Sequence, residues 1–232
     1  MFKKILSLFK ATDKTEGAMT GKLEQPKTPK KSKIEASRIG ELGEYKINIQ
    51  LDQLPKNTKH LSDLLIPNTR SRTGYSQVDH VVLSPHGLFV IETKNYSGEI
   101  KGRKEDTYWR VSNRFNLYNP LKQNYGHIKA IEEQLIGFTI TNLTYISMVS
   151  FTMRCRFSID PQLRKIESDE LVVYDTELSE FIQRKINRIR ATSNQPLLTD
   201  EDILALYEIL QKANITNQEI RHQHITKIKS YK

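Results

Sequence analysis

Three charged residues interrupt an otherwise apolar stretch, QVDHVVLSPHGLFVIETKN over residues 77–95: Asp79, Glu92 and Lys94. Burying an unpaired charge is costly, so these side chains either face water at strand ends or converge on something that compensates them. The runs VDHVVLS and LFVIETKN read as two strands joined at PHG. If SPHG is a four-residue turn with Ser84 and Gly87 paired at its ends, Asp79 falls directly opposite Glu92. Cβ atoms so placed are about 4.5–5.5 Å apart. Glu92 and Lys94, two residues apart, share a face. Like charges opposite each other destabilise a sheet, so a cation held by Asp79 and Glu92 is the natural compensation. Two carboxylates and retained waters suit Mg²⁺, or Mn²⁺ in its place. A lysine beside that ion could position or deprotonate a water, or stabilise charge in a phosphoryl transition state. The competing reading makes Glu92 and Lys94 a surface pair at a strand end and Asp79 a turn cap. A one-residue slip would send Asp79 to the other face.

The elements that must hold these groups follow from periodicity. IEASRIGELGEYKINIQLDQL carries Ile34, Ile39, Leu42, Tyr45 and Ile49 at helical spacing. Leu61 to Ile66 is a short strand stopped by Pro67, and strands follow at about 75–84 and 88–96. SGEIKGRKEDTYWRVS reads as a hairpin with its tip at Gly102 to Thr107. NPLKQNYGHIKAIEEQLIGF is a helix with Asn119 as cap and Pro120 at its first position. TYISMVSFTMRC and ELVVYD are two further strands, and a helix spans about Glu177 to Arg190. Thr199 opens a capping box with Asp202 in place of the usual Glu. Beyond it lie two helical stripes: Ile203, Leu206, Tyr207 and Leu210, then Ile220, His224, Ile225 and Ile228. The expected fold is α/β, a mixed central sheet flanked by helices, with a C-terminal helical extension. The expected division is a basic tail at 1–33, an α/β domain at 34–190 and the extension at 191–232.

Composition narrows the partners. The formal net charge is +9 in 232 residues, which invites a nucleic-acid reading. Residues 1–38 hold ten Lys or Arg and four acids, leaving 26 and 23 for the rest. Most of the excess therefore sits in the tail, although Arg154, Arg156, Arg164, Lys165, Arg184, Lys185, Arg188 and Arg190 cluster late in the chain. The polar, Lys- and Thr-rich tail reads as a disordered linker. MFKKILSLFK fails as a signal peptide but could give weak membrane-surface contact through residues 1–10. No apolar run approaches the roughly 18 residues of a membrane span. A lone cysteine, Cys155, precludes an internal disulfide and points to a reducing cytoplasm, with Cys155 a small buried hydrophobe.

The ordered set GELGEYKINIQL, QVDHVVLSPHGLFVIETKNYSGEIKG, Trp109 and NPLKQNYGHIKAI closely resembles the nuclease-related domain, NERD, over roughly residues 36–155. That family is similar to the PD-(D/E)XK nucleases, which implies a restriction-endonuclease-like fold and a metal-dependent hydrolase acting on nucleic acid, with DNA as the expected substrate. By position, Asp79 matches the metal-binding acid of the second core strand, Glu92 and Lys94 the E-x-K element of the third, and Glu44 an acid on the first helix. The resemblance thus implies Asp79, Glu92 and Glu44 as metal ligands. Glu41, one helical turn before Glu44, is a possible accessory. Gln123 opens a Q-x3-H that is similar to the Q-x3-Y of RecB-like nucleases, with His127 in place of the tyrosine. Val78 stands where the eponymous proline would be. The alternative is a nucleic-acid- or partner-binding module that uses the same fold without turnover.

The remaining residues that could do chemistry read as structural. His80 neighbours Asp79 but points to the other face, and His86 is an exposed turn residue. His222 and His224 have no third ligand at zinc spacing. Trp109 is core. Gly43 is explained by close packing and Gly87 by turn geometry.

Overall fold

The computed structural model describes residues 33–138, 143–193 and 195–230, with side chains from Leu42 onward. The tail, its suggested membrane contact and the Glu41 side chain lie outside the described residues.

Five strands form the central sheet in the order β1-β2-β3-β7-β9. They span Lys59–Pro67, Tyr75–Ser84, Gly87–Lys94, Tyr145–Phe151 and Glu170–Tyr174. β1, β2 and β3 are antiparallel neighbours, whereas β3–β7 and β7–β9 are parallel. A second sheet, β6-β5-β4-β8, is built from Phe115–Tyr118, Tyr108–Val111, Gly98–Gly102 and Cys155–Ile159. Two of these differ from expectation. The hairpin gains a third strand, β6, because Arg114 turns the chain back at Val111, and β8 is a separate strand after a break at Thr152. Leu88 faces Tyr145 in the first sheet and Gly98 faces Cys155 in the second, with the same sequence offset. β3–β4 and β7–β8 therefore run as two parallel tracks across both sheets.

Side chains alternate across the central sheet with the two-residue period of a strand. Val81, Leu83, Leu88 and Val90 face a cluster with Ile128 and Ile131 of α2 (Pro120–Gln134) and Ile203, Leu206 and Leu210 of α4 (Asp200–Ala213). Val82, Phe89 and Ile91 face the other way, onto Ile47 and Leu51 of α1 (Lys33–Leu51) and Phe181 and Ile182 of α3 (Leu178–Thr192). A third cluster joins Ile100, Trp109, Val111 and Leu117 of the second sheet to Phe151 of the first. Trp109 is fully buried, and Cys155 is buried with burial pushing its thiol up to about 11, so both behave as core.

Start and stop signals fall where the local chemistry requires. Asn119 caps α2 by accepting from the Leu121 amide at 2.9 Å, with Pro120 at the first position. Thr199 and Asp202 close their capping box at the start of α4. Among the expected stripes, Ile203, Leu206 and Leu210 are buried, but in α5 (Gln218–Ser230) only His224 is. In α1 the buried face is Ile47 and Leu51, while Leu42, Tyr45 and Ile49 are exposed, so the expected stripe is rotated from the face that packs.

The turn after β2 keeps the expected frame, Ser84 paired with Gly87. Its surroundings do not match. His86 is buried, not exposed, because the chain at Leu197 and Leu198 crosses the turn and donates both amides to the Pro85 carbonyl. Gly87 has φ +135°, and a Cβ there would lie 2.8 Å from the Thr144 carbonyl oxygen. Gly87→Ala should therefore destabilise the fold by about 1–3 kcal/mol, measured by denaturant titration; an unchanged midpoint would show that the turn relaxes freely. Gly43 differs, since a Cβ there meets nothing within 4 Å, and close packing does not explain it.

Candidate active site

Residue parity on β2 and β3 decides what can meet. Val90, Glu92 and Lys94 share a face, and it is the face covered by α2. Asp79 lines one cavity with Lys94, Gln123 and His127. The β2–β3 ladder runs from Ser84–Gly87 to His80–Ile91, one step short of Asp79 and Glu92. The ladder stops there, and the Asp79 carboxylate turns to Thr93. Its Oδ2 accepts from the Thr93 amide and from the Thr93 hydroxyl, both at 2.7 Å.

Glu92 is the centre of a closed network. Its side chain is only 4% exposed. Lys94 Nζ donates to Oε1, and Gln123 Nε2 donates to the same oxygen at 2.8 Å. His127 Nε2 is 3.1 Å from Oε2. Lys94 Nζ also donates to Gln123 Oε1 at 3.0 Å, which closes the ring Glu92–Lys94–Gln123. Gln123 and His127 are one helical turn apart on α2, so one helix face supplies both. α2 is held against the strand by Asn124, whose Nδ2 donates to the Val90 carbonyl at 2.7 Å and to Ser147 Oγ at 2.8 Å. Asn124 is fully buried, so the helix has little freedom to slide relative to Glu92.

Electrostatics distinguish the two acids. Burial alone would raise the Glu92 carboxyl, but the Lys94 charge and the His127 hydrogen bond win and hold it below the usual carboxylate range. Burial opposes the Lys94 charge too, yet Glu92 keeps it firmly protonated, with Lys94 shifted upward. Asp79 goes the other way. Burial and the negative charge of Glu92 push it up to about 7, against weaker opposing help from Thr93 and Lys94. One lysine does not neutralise two acids, and Asp79 is the one left short.

A cavity of about 620 Å³ opens onto these groups, lined by Asp79, Lys94, Gln123 and His127 and, further out, by Arg72, Tyr118 and His224. Glu44 is placed elsewhere. It is exposed on α1, which packs on the opposite sheet face, and it lines a separate cavity of about 150 Å³ with Thr93, Asp175 and Lys94. Lys94, at the strand end, borders both. The structure thus brings together Asp79, Glu92, Lys94 and Gln123, and places Glu44 on a second cavity that it shares with Lys94 and with Thr93, the residue bonded to Asp79. Thr93, which the sequence reading passed over, fixes Asp79; its position between Glu92 and Lys94 was the available signal. His80 is structural as expected, buried with Nδ1 2.9 Å from Ser62 Oγ, and Asn48 on α1 accepts from that hydroxyl. Half of the late basic cluster is spent: Arg164, Arg184, Lys185 and Arg188 are ion-paired with Glu177, Glu180, Asp169 and Glu167.

Among the described residues no group of three or more His, Cys, Asp or Glu could hold a metal ion. What the site offers is two carboxylates, Asp79 and Glu92, beside an open cavity. That set fits Mg²⁺, which takes one or two carboxylates and keeps several waters. The donor chemistry supports the fit, since the Asp79 carboxylate lines the cavity and Thr93 bonds only its Oδ2.

A mixed sheet between helical layers, with an acid–lysine pair at the end of a central strand, describes a PD-(D/E)XK-like α/β core. Residues 39–152, about half of the chain, match the family model described as nuclease-related domain. The chain is also similar to an uncharacterized protein of Bacillus anthracis, 29% identical over 190 residues, covering 80% of this chain and 82% of that protein. No solved structure matches the chain. Among the described residues no helix is long and apolar enough to cross a membrane.

Proposed function

We propose that the chain is a divalent-metal-dependent nuclease that hydrolyses phosphodiester bonds in DNA. The observation that carries this reading is the ring of Glu92, Lys94 and Gln123, whose Lys94 and Gln123 line one open cavity together with Asp79. Asp79 and Glu92 would hold the metal. When bound, such an ion polarises a phosphate and lowers the pKa of a coordinated water. The chain's own groups have distinct parts. Lys94 keeps its proton, so it serves as a fixed positive donor toward charge on the phosphate rather than as a base. Gln123 holds Lys94 and Glu92 at one spacing, which fixes the direction of the ammonium. His127 occupies the second oxygen of Glu92 and keeps that carboxylate from rotating. Thr93 does the same for Asp79. Glu44, on the smaller cavity that meets Lys94 from the α1 side, would assist the two acids at the metal from there.

The test is cutting of circular single- and double-stranded DNA with Mg²⁺ or Mn²⁺ against EDTA, with Glu92→Ala alongside. Cutting that needs the metal and vanishes in the variant is the expected result. Salt-sensitive DNA binding without any cutting would favour the binding-module reading, and cutting that survives Glu92→Ala would place the activity elsewhere.

A further inference from the structure

The second sheet turns one face to the core and leaves the other bare. β5 alternates, with Trp109 and Val111 buried and Tyr108 and Arg110 exposed. Across the ladder, Tyr108 pairs with Tyr118 and Arg110 with Asn116. Lys101 on β4 pairs with Arg110 on one side and Ser158 on the other. The outward row therefore joins two tyrosines to Lys101, Arg110 and Arg156, against a single acid, Glu99.

Two features of this face need a partner. Tyr108 and Tyr118 are 56% and 46% exposed, their rings edge-to-face with centroids 6.0 Å apart. Large aromatic rings left out of a core next to one another form a surface that gains by being covered. The cations are also uncommitted: among the described residues no carboxylate forms an ion pair with Lys101, Arg110 or Arg156, in contrast to Arg164, Arg184, Lys185 and Arg188. Tyr118 belongs to the same cavity as Asp79, Lys94 and Gln123, so the face runs without a break into the candidate active site.

We propose that the outer face of β6-β5-β4-β8 binds single-stranded nucleic acid, stacking bases on Tyr108 and Tyr118 and holding phosphates with Lys101, Arg110 and Arg156. The strand then enters the cavity past Tyr118. That delivery rests on the nuclease reading; the binding does not. Single strands fit because stacking on a surface ring needs an unpaired base with a free face, and because a basic groove with interleaved aromatics tracks a backbone without reading its sequence. A duplex already stacks its bases on one another and offers only phosphates.

The test is fluorescence anisotropy of the full chain in EDTA with labelled oligodeoxythymidine, oligouridine and a DNA duplex. Tyr108→Ala and Tyr118→Ala should each weaken single-strand binding about tenfold, while the duplex binds more weakly and is insensitive to either change. Lys101→Ala and Arg110→Ala should each lower the slope of log affinity against log salt by about one phosphate contact. The tighter of the two oligonucleotides names the natural strand. Single-strand affinity unchanged in both tyrosine variants, or a preference for duplex, would overturn the proposal. Because binding is read without turnover, tyrosine-dependent binding by a protein that never cuts keeps this proposal and removes the nuclease. Cutting with tyrosine-independent binding does the reverse.

Discussion

Lys94→Met is expected to slow metal-dependent cutting about 10²- to 10³-fold, the usual cost of removing one fixed donor from a site where charge develops. The change also alters stability. Glu92 is 4% exposed, and removing the partner of a buried ion pair typically costs about 3–5 kcal/mol because the remaining charge has no compensation. Gln123 and His127 still donate to Glu92, which puts the expected loss at the low end. The double variant Glu92→Gln/Lys94→Met separates the two effects. It removes both charges, so stability should recover toward the wild type while cutting stays absent, read by denaturant titration beside a plasmid assay. Wild-type rates in the single variant would remove Lys94 from the chemistry.

The second large effect is a loss of stability with rising pH that Asp79 alone produces. Its ordinary pKa is 3.8 and the fold raises it to about 7. A carboxyl raised in the native state binds its proton more tightly there than in the unfolded chain. Its contribution is therefore intact below pH 4 and is lost as pH climbs to about 7. The full loss is roughly 2–4 kcal/mol, allowing for the partial exposure of the side chain. Asp79→Asn cannot ionise, so without divalent metal it should be the more stable protein at pH 8 and should match the wild type at pH 4. Millimolar Mg²⁺ should stabilise the wild type at pH 8 and leave the asparagine variant unmoved. Thermal melts at both pH values decide the matter; parallel profiles for the two proteins would show that Asp79 is not the strained group and not a metal ligand.

Much of this site was legible before any coordinates, because its core is local. Asp79, Glu92 and Lys94 lie on one hairpin, and the PHG turn sets the register of its strands by simple counting. Asn119–Pro120 likewise marked the start of α2, and Q-x3-H marked the helix face. What failed to show was anything decided by distant chain. His86 looks like a solvated turn residue until Leu197 and Leu198 cross above it. That Glu44 meets Lys94 through a second cavity depends on where α1 packs, which periodicity does not show. Arg164, Arg184 and Arg188 look like part of a basic surface until each finds a carboxylate. In α1 the exposed Leu42, Tyr45 and Ile49 share the helical period of the buried Ile47 and Leu51, so periodicity alone could not choose between the faces. The outward tyrosines of the second sheet were hidden because β6 is only four residues long, too short for an alternating pattern to stand out.

The shared offset of the two parallel ladders has a kinetic consequence. Bringing β7 beside β3 closes one long loop through α2, and that single closure also sets β8 beside β4. The entropy of the closure is lost once for both sheets. Such non-local pairing is slow to form, but once made it binds the two sheets into one cooperative unit. Unfolding should therefore proceed as one transition for the stacking face and the acid–lysine floor together, with amide exchange in β4 and β8 protected to the same degree as in β3 and β7.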